Sequence, residues 1–284
     1  MDTKKVNTPL VSIIIPCYNQ GQYIDDALSS INAIADKHLF ETIIINDGST
    51  DELTNRRLEK LADEGYHVIF QDNQGLAMAR NNGISVSVGK YILPLDADNK
   101  LRPEYIYKGI DVLNNNREIS VVYGNAAYFG DRTEVFRPGG FNLQRLLLNN
   151  YIDACAIYRR ELWEATGGYD RNMPGKGVED WEIWLHASFK GFLFHYIDEV
   201  LYDYRVLSNS MIRQLNKNKI KNNANVEYLI AKHPYFYGAQ YIDENIMHKF
   251  SRSPIGFFGL LVLKKWFPGR FSKMVAKGRL RKYI

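Results

Sequence analysis

The sequence predicts an α/β fold, a mostly parallel sheet flanked by helices, followed by a helical C-terminal extension. Three observations predict it: short β-branched runs, amphipathic stretches of helical period between them, and carboxylates where the runs end. VSIIIP (11–16) and ETIIIN (41–46) are continuous β-branched runs, as parallel strands covered on both faces require. Between them, YIDDALSSINAIA sets Tyr23, Ala27, Leu28, Ile31 and Ile34 at helical spacing. STDE (49–52) places Ser49 and Glu52 in capping-box register before LTNRRLEKLADEG, a helix expected to end near Gly65. HVIFQ (67–71) reads as a third strand, GLAMARNNGISVS as a helix and YILPLD (91–96) as a fourth strand. In such βαβ sheets ligands bind beyond the carboxyl ends of the strands. Asp47, Asp96 and Asp98 stand at those ends and are expected to converge on one cleft.

Composition sets the bounds. The 284 residues are 45% hydrophobic and 24% charged, a balance that excludes disordered and fibrous classes. Cys17 and Cys155 have neither metal-ligand nor redox spacing, so a reducing cytoplasm is expected. The opening MDTKKVNTPLVSIII breaks at Pro16 and shows no cleavage pattern, so it is predicted to lead into the first strand rather than form a leader or a membrane span. The net charge of +4 hides an asymmetry: residues 249–284 carry ten basic and no acidic side chains, leaving 26 basic against 32 acidic in residues 1–248. The body is acidic and the tail basic.

The stretch PLDADN puts Asp96 and Asp98 one residue apart after a buried run. Carboxylates at i and i+2 can offer oxygen to one hard divalent cation whose open positions take phosphate oxygens. The same residue types also suit a plain turn.

Taken together and in order, VSIIIPCYNQGQYIDDALSSI, IIINDGSTDE, NQGLAMARNNGI, YILPLDADN and GGYDRNMPGKGVEDWEIWLH resemble the family 2 glycosyltransferases over about residues 10–206. These are inverting nucleotide-sugar transferases with the Rossmann-like fold called GT-A. The resemblance implies a nucleotide-binding loop at Pro16, Tyr18 and Asn19, with Asp47 accepting a hydrogen bond from the base. Arg80 would contact the diphosphate. Asp98 would ligate Mn²⁺ or Mg²⁺, and Asp96 would reach the donor ribose or the metal through water. Asp180 matches the general base, since an acceptor hydroxyl is a poor nucleophile until a carboxylate takes its proton. Glu179 and Trp181 would face the acceptor, with Trp184 in the core. EDWEIW also suits a plain helix start, where acids favour the positive end of the dipole. The glycines of MPGKGVED suggest a mobile loop over the cleft. Many relatives place a histidine after a YR pair to complete the metal shell; here YDYRVLSNSM has none, and Asn209 or water is expected to substitute.

The implied activity is inverting transfer from a UDP-sugar to a saccharide or lipid-linked acceptor in surface-polysaccharide or cell-wall glycan assembly. The expected organisation is a transferase domain over 1–210, with 1–100 binding the nucleotide-sugar and 101–210 the acceptor, then a helical extension over 211–284. Aromatic and aliphatic residues beside the basic cluster of 249–284 predict contact with an anionic membrane, and thus a peripheral position on the inner face of the cell membrane. A terminal helix docked on the protein is the competing reading. No nucleic-acid partner is expected, because the basic tail would leave the acidic cleft unexplained. An NAD-dependent oxidoreductase or a sugar nucleotidyltransferase would need a glycine-rich phosphate loop where this chain has PCYNQG. A non-catalytic binding module on the same fold would have no use for Asp47, Asp96, Asp98 and Asp180.

Overall fold

A computed structural model describes residues 8–175, 177–207, 219–234, 253–267, 270 and 274. The chain divides into two compact units, Met1–Ala231 and Lys232–Ile284.

The first unit is built on a nine-stranded sheet of order β3-β2-β1-β4-β8-β6-β9-β5, with β7 paired to β6. The β-branched runs form β1 (Val11–Cys17) and β2 (Phe40–Asp47), and β3 spans His67–Gln71 and β4 Tyr91–Pro94. These four are parallel neighbours. The second half is mixed: β8 (Ile157–Arg159) enters antiparallel between β4 and β6 (Ile119–Gly130), and β6 runs parallel to the long β9 (Leu193–Val206). The short β5 (Lys100–Leu101) pairs with β9, and β7 (Glu134–Phe136) is a third short strand.

Helices α1 (Ile24–Asn32), α2 (Glu52–Asp63) and α3 (Leu76–Val86) follow the first three strands as expected. The capping box does not form. Asp51 caps α2, its carboxylate accepting the Thr54 N–H at 2.9 Å. Ser49 is spent elsewhere, its hydroxyl accepting from Asn19 N and its own N–H donating to the Asn46 side chain. Helix α3 lies directly on β1 and β2 because Gly83 has no side chain. A Cβ there would come within 2.5 Å of Ile45 Cδ1 and 2.8 Å of Ile14 Cγ2. Helices α4 (Glu104–Asn115), α5 (Leu143–Leu148), α6 (Arg160–Thr166) and α7 (Glu179–Phe189) belong to the second half of the unit. A further helix spans Lys219–Lys232, and another, Pro254–Trp266, lies in the second unit. No helix among the described residues is long and apolar enough to cross a membrane.

Candidate active site

A cleft of about 960 Å³ opens where β1, β2 and β4 end, and every strand-end carboxylate singled out from the sequence lines it. Asp96 and Asp98 sit on the loop after β4, while Glu179 and Asp180 begin α7 from the other half of the unit. Arg80 joins the two halves. Carried inward by α3 and 1% exposed, it donates to Asp96 Oδ1 at 2.6 Å and to Glu179 Oε1 at 2.5 Å. Burial alone would depress its pKa, but Asp96 and then Glu179 outweigh that and hold it well above the usual arginine value.

The other acids are less well compensated. Desolvation, then the charge of Asp96, pushes Asp98 up to about 7. Its backbone carbonyl accepts from Arg205 Nε at 3.0 Å, and that guanidinium lies between the rings of Tyr23 and Phe129, 4.5 and 4.4 Å away. Desolvation, then Glu179 and Asp153, raises Asp180 well above an ordinary aspartate. Asn150 Nδ2 and Trp181 N fix the Asp180 carboxylate by donating to its two oxygens, each at 2.9 Å. Seven carboxylates line the cleft (Asp47, Asp96, Asp98, Asp153, Asp170, Glu179, Asp180) against three guanidinium groups (Arg80, Arg171, Arg205).

That imbalance is the test for a divalent cation, and the residues fit one. Asp98 and Asp96 offer hard oxygen donors side by side, as Mn²⁺ or Mg²⁺ prefers. Among the described residues no side chain donates to the Asp98 carboxylate, so it is available to a cation. Thiol chemistry does not fit the site: burial pushes Cys17, on the cleft wall, up to about 11, leaving it protonated at neutral pH.

Other predicted residues differ in how free they are. Tyr18 and Pro16 both line the cleft, and Tyr18 is 45% exposed, so its ring is open to a ligand. Asn19 is instead a clip between two loops, its side-chain oxygen accepting from Thr50 N and Asp51 N at 2.8 and 3.0 Å and its backbone held at φ 54°. Asp47 accepts from Gln71 Nε2, Gln74 N and Gly75 N, so three of its roughly four acceptor sites already hold the turn into α3. Glu179 likewise serves Arg80 and the Gly177 N–H. Trp181 does not present a face to the cleft: it is 3% exposed and donates its indole N–H to the Leu146 carbonyl at 2.6 Å. It packs against α5 instead of facing the cleft as expected. Trp184 lies in the core, edge-on to Tyr158 and Phe194.

The GGYD turn is stitched to α3 by Asn81, which accepts from Tyr169 N and donates to its carbonyl. The helix Lys219–Lys232 holds the loop expected to be mobile at one point and this turn at another. Gly175 N donates to Asn225 Oδ1 at 2.7 Å and the Tyr228 hydroxyl to Asp170 at 2.8 Å. Ser208 and Asn209 lie outside the described residues.

Asp153 was absent from the sequence expectations. Desolvation, then Asp96, pushes it up to about 6, and it accepts from Cys155 N at 2.8 Å. The signal was the single charge in the apolar run YIDACAIY, a placement that costs free energy unless it is used.

The sequence profile of Glycosyl transferase family 2 matches residues 12–167. This chain belongs to that family, and it is a glycosyltransferase. TuaG of Bacillus subtilis strain 168, a glycosyltransferase provisionally assigned to teichuronic acid biosynthesis, is 30% identical over 211 residues, 72% of this chain and 81% of TuaG. EpsH of the same organism is 29% identical over 230 residues, 75% of this chain and 65% of EpsH. Among solved structures, TarS of S. aureus in complex with UDP superimposes with a TM-score of 0.56 at 18% identity, covering 88% of this chain and 80% of the TarS chain. The mannosyltransferase PcManGT of Pyrobaculum calidifontis, in complex with GDP-Man and Mn²⁺, gives 0.56 at 16% identity, covering 93% and 82%. At these identities the two structures establish the GT-A fold.

Proposed function

We propose that this glycosyltransferase transfers a sugar from a UDP-sugar to a saccharide or lipid-linked acceptor, with metal assistance and inversion of configuration, in surface-polysaccharide or cell-wall glycan assembly. The observation that carries the reading is the meeting of Asp96 and Asp98 with Asp180 in one acidic cleft, whose two halves Arg80 joins through Asp96 and Glu179. The kinship with TuaG and the UDP complex of TarS support the pathway class and the nucleotide.

Asp98, with Asp96 beside it, would hold the cation, which when bound supplies charge neutralisation to a departing diphosphate. Tyr18 offers an exposed ring on which a base can stack. Asp180 takes the proton of the acceptor hydroxyl as that oxygen forms its bond to the anomeric carbon, while the bond from that carbon to the diphosphate oxygen breaks and the oxygen keeps the electron pair. A single displacement of this kind inverts the anomeric centre. A raised pKa makes Asp180 a stronger base than a surface aspartate, and Asn150 and the Trp181 N–H keep it in one orientation.

The test is a turnover screen of UDP-, GDP- and TDP-sugars with and without Mn²⁺. Metal-stimulated release of UDP is expected, and silence across all three donor classes would sink the proposal. Asp180→Asn should abolish transfer yet bind the donor nearly as well as the parent; retained turnover would remove Asp180 as base.

A further inference from the structure

The helix Pro254–Trp266 bears an apolar stripe. Ile255 is 88% exposed, Phe258 60%, Val262 43% and Trp266 63%, and Phe267 follows directly. At 3.6 residues per turn these four positions fall within an arc of about 80°, so they form one continuous face. Exposed apolar side chains gathered on one face, rather than scattered singly, mark an interaction site. The helix is 13 residues long, roughly 20 Å, well short of the ~30 Å of a bilayer's hydrocarbon, so it can lie along a membrane surface but not span it.

Charge selects the occupant. The ten basic and no acidic residues of 249–284 begin just before this helix and continue past it, and Lys264 and Lys265 belong to its last turn. We propose that the second unit docks on an anionic phospholipid surface, with Ile255, Phe258, Val262 and Trp266 entering the headgroup boundary and the net positive charge of residues 249–284 attracted to lipid phosphates. Trp266 at the helix end suits that boundary, because its ring is amphipathic. The inference does not depend on which donor or acceptor the enzyme uses.

The experiment is flotation of the full-length protein with vesicles of phosphatidylcholine alone or mixed with phosphatidylglycerol, at low and high salt. Binding is expected only to the mixed vesicles and should weaken strongly at 0.5 M salt, where the Debye length falls to roughly 4 Å. Phe258→Ser/Trp266→Ser and Lys264→Glu/Lys265→Glu should each lower partitioning by about tenfold or more. Indole emission should shift to the blue on binding in the parent and not in Trp266→Phe. Circular dichroism and donor hydrolysis should stay at parental levels in all these variants, which separates loss of docking from misfolding and from failure of the transferase reading. Equal partitioning of parent and variants, equal binding to neutral vesicles, or a dimer broken by Phe258→Ser/Trp266→Ser with no vesicle binding would each overturn the proposal.

Discussion

Arg80 carries the heaviest electrostatic demand of any side chain in the cleft. It is buried, so its charge is tolerable only because Asp96 and Glu179 take two of its nitrogens, and they in turn depend on it. Arg80→Met should therefore leave Glu179 buried without its cation and the partly exposed Asp96 without its partner, and cost about 3 kcal/mol in urea denaturation. Arg80→Lys keeps the charge but cannot fork between two partners, so it should recover part of the stability and little of the transfer rate. Asp153 acts through the same field. Its charge is among the causes that raise Asp180, so Asp153→Asn should let Asp180 ionise more readily. The acid limb of the kcat/KM profile should move to lower pH, because the base loses its proton earlier. A limb that stays in place would show that the two carboxylates do not share a field.

At the scale of elements, the site depends on how closely α3 approaches the sheet. Gly83→Val would drive a side chain into Ile45 and Ile14 and lift the helix that carries Arg80. A loss of about 1–3 kcal/mol in chemical denaturation is expected, with a fall in transfer rate out of proportion to it. Asp51→Ala, which removes the cap of α2 outside the lining of the cleft, should lower the midpoint of chemical denaturation and leave turnover unchanged. The first four strands and three helices were legible because their apolar periodicity is local. The cap was misread because two neighbouring polar residues, Ser49 and Asp51, compete for it, and the contact that engages Ser49 comes from Asn19, 30 residues away. The mixed second half of the sheet was not legible either: the three-residue β8 is defined by its antiparallel partners β4 and β6, not by its own pattern. Asp47, Asp96, Asp98 and Asp180 could be read from motifs, whereas the burial of Trp181 and the role of Asp153 follow from tertiary packing that no short window contains.

At the scale of the whole molecule, stability is coupled to the chemistry the cleft is built for. In the absence of a cation the folded chain keeps Asp98 protonated up to about pH 7 and Asp153 up to about pH 6, whereas an unfolded aspartate ionises near pH ~3.9. Between those limits the native state binds more protons than the unfolded one, so unfolding becomes easier as pH rises. Asp26, whose pKa is lowered by Lys100 and Arg205 against the opposing effect of desolvation, works the other way, but its contribution is lost only as pH falls below about 4. The metal-free protein should therefore melt at a higher temperature at pH 5 than at pH 7.5. On the proposed function a divalent cation would bind the ionised carboxylates and release the proton, so its affinity should rise with pH until Asp98 is fully ionised. Mn²⁺ should accordingly raise Tm more at pH 7.5 than at pH 5, and Asp98→Asn should both flatten the metal-free pH slope and abolish the Mn²⁺ increment. Differential scanning calorimetry at the two pH values, with and without Mn²⁺, measures all four quantities. An equal increment at both pH values, or one that survives Asp98→Asn, would mean that the cation binds somewhere other than this carboxylate pair.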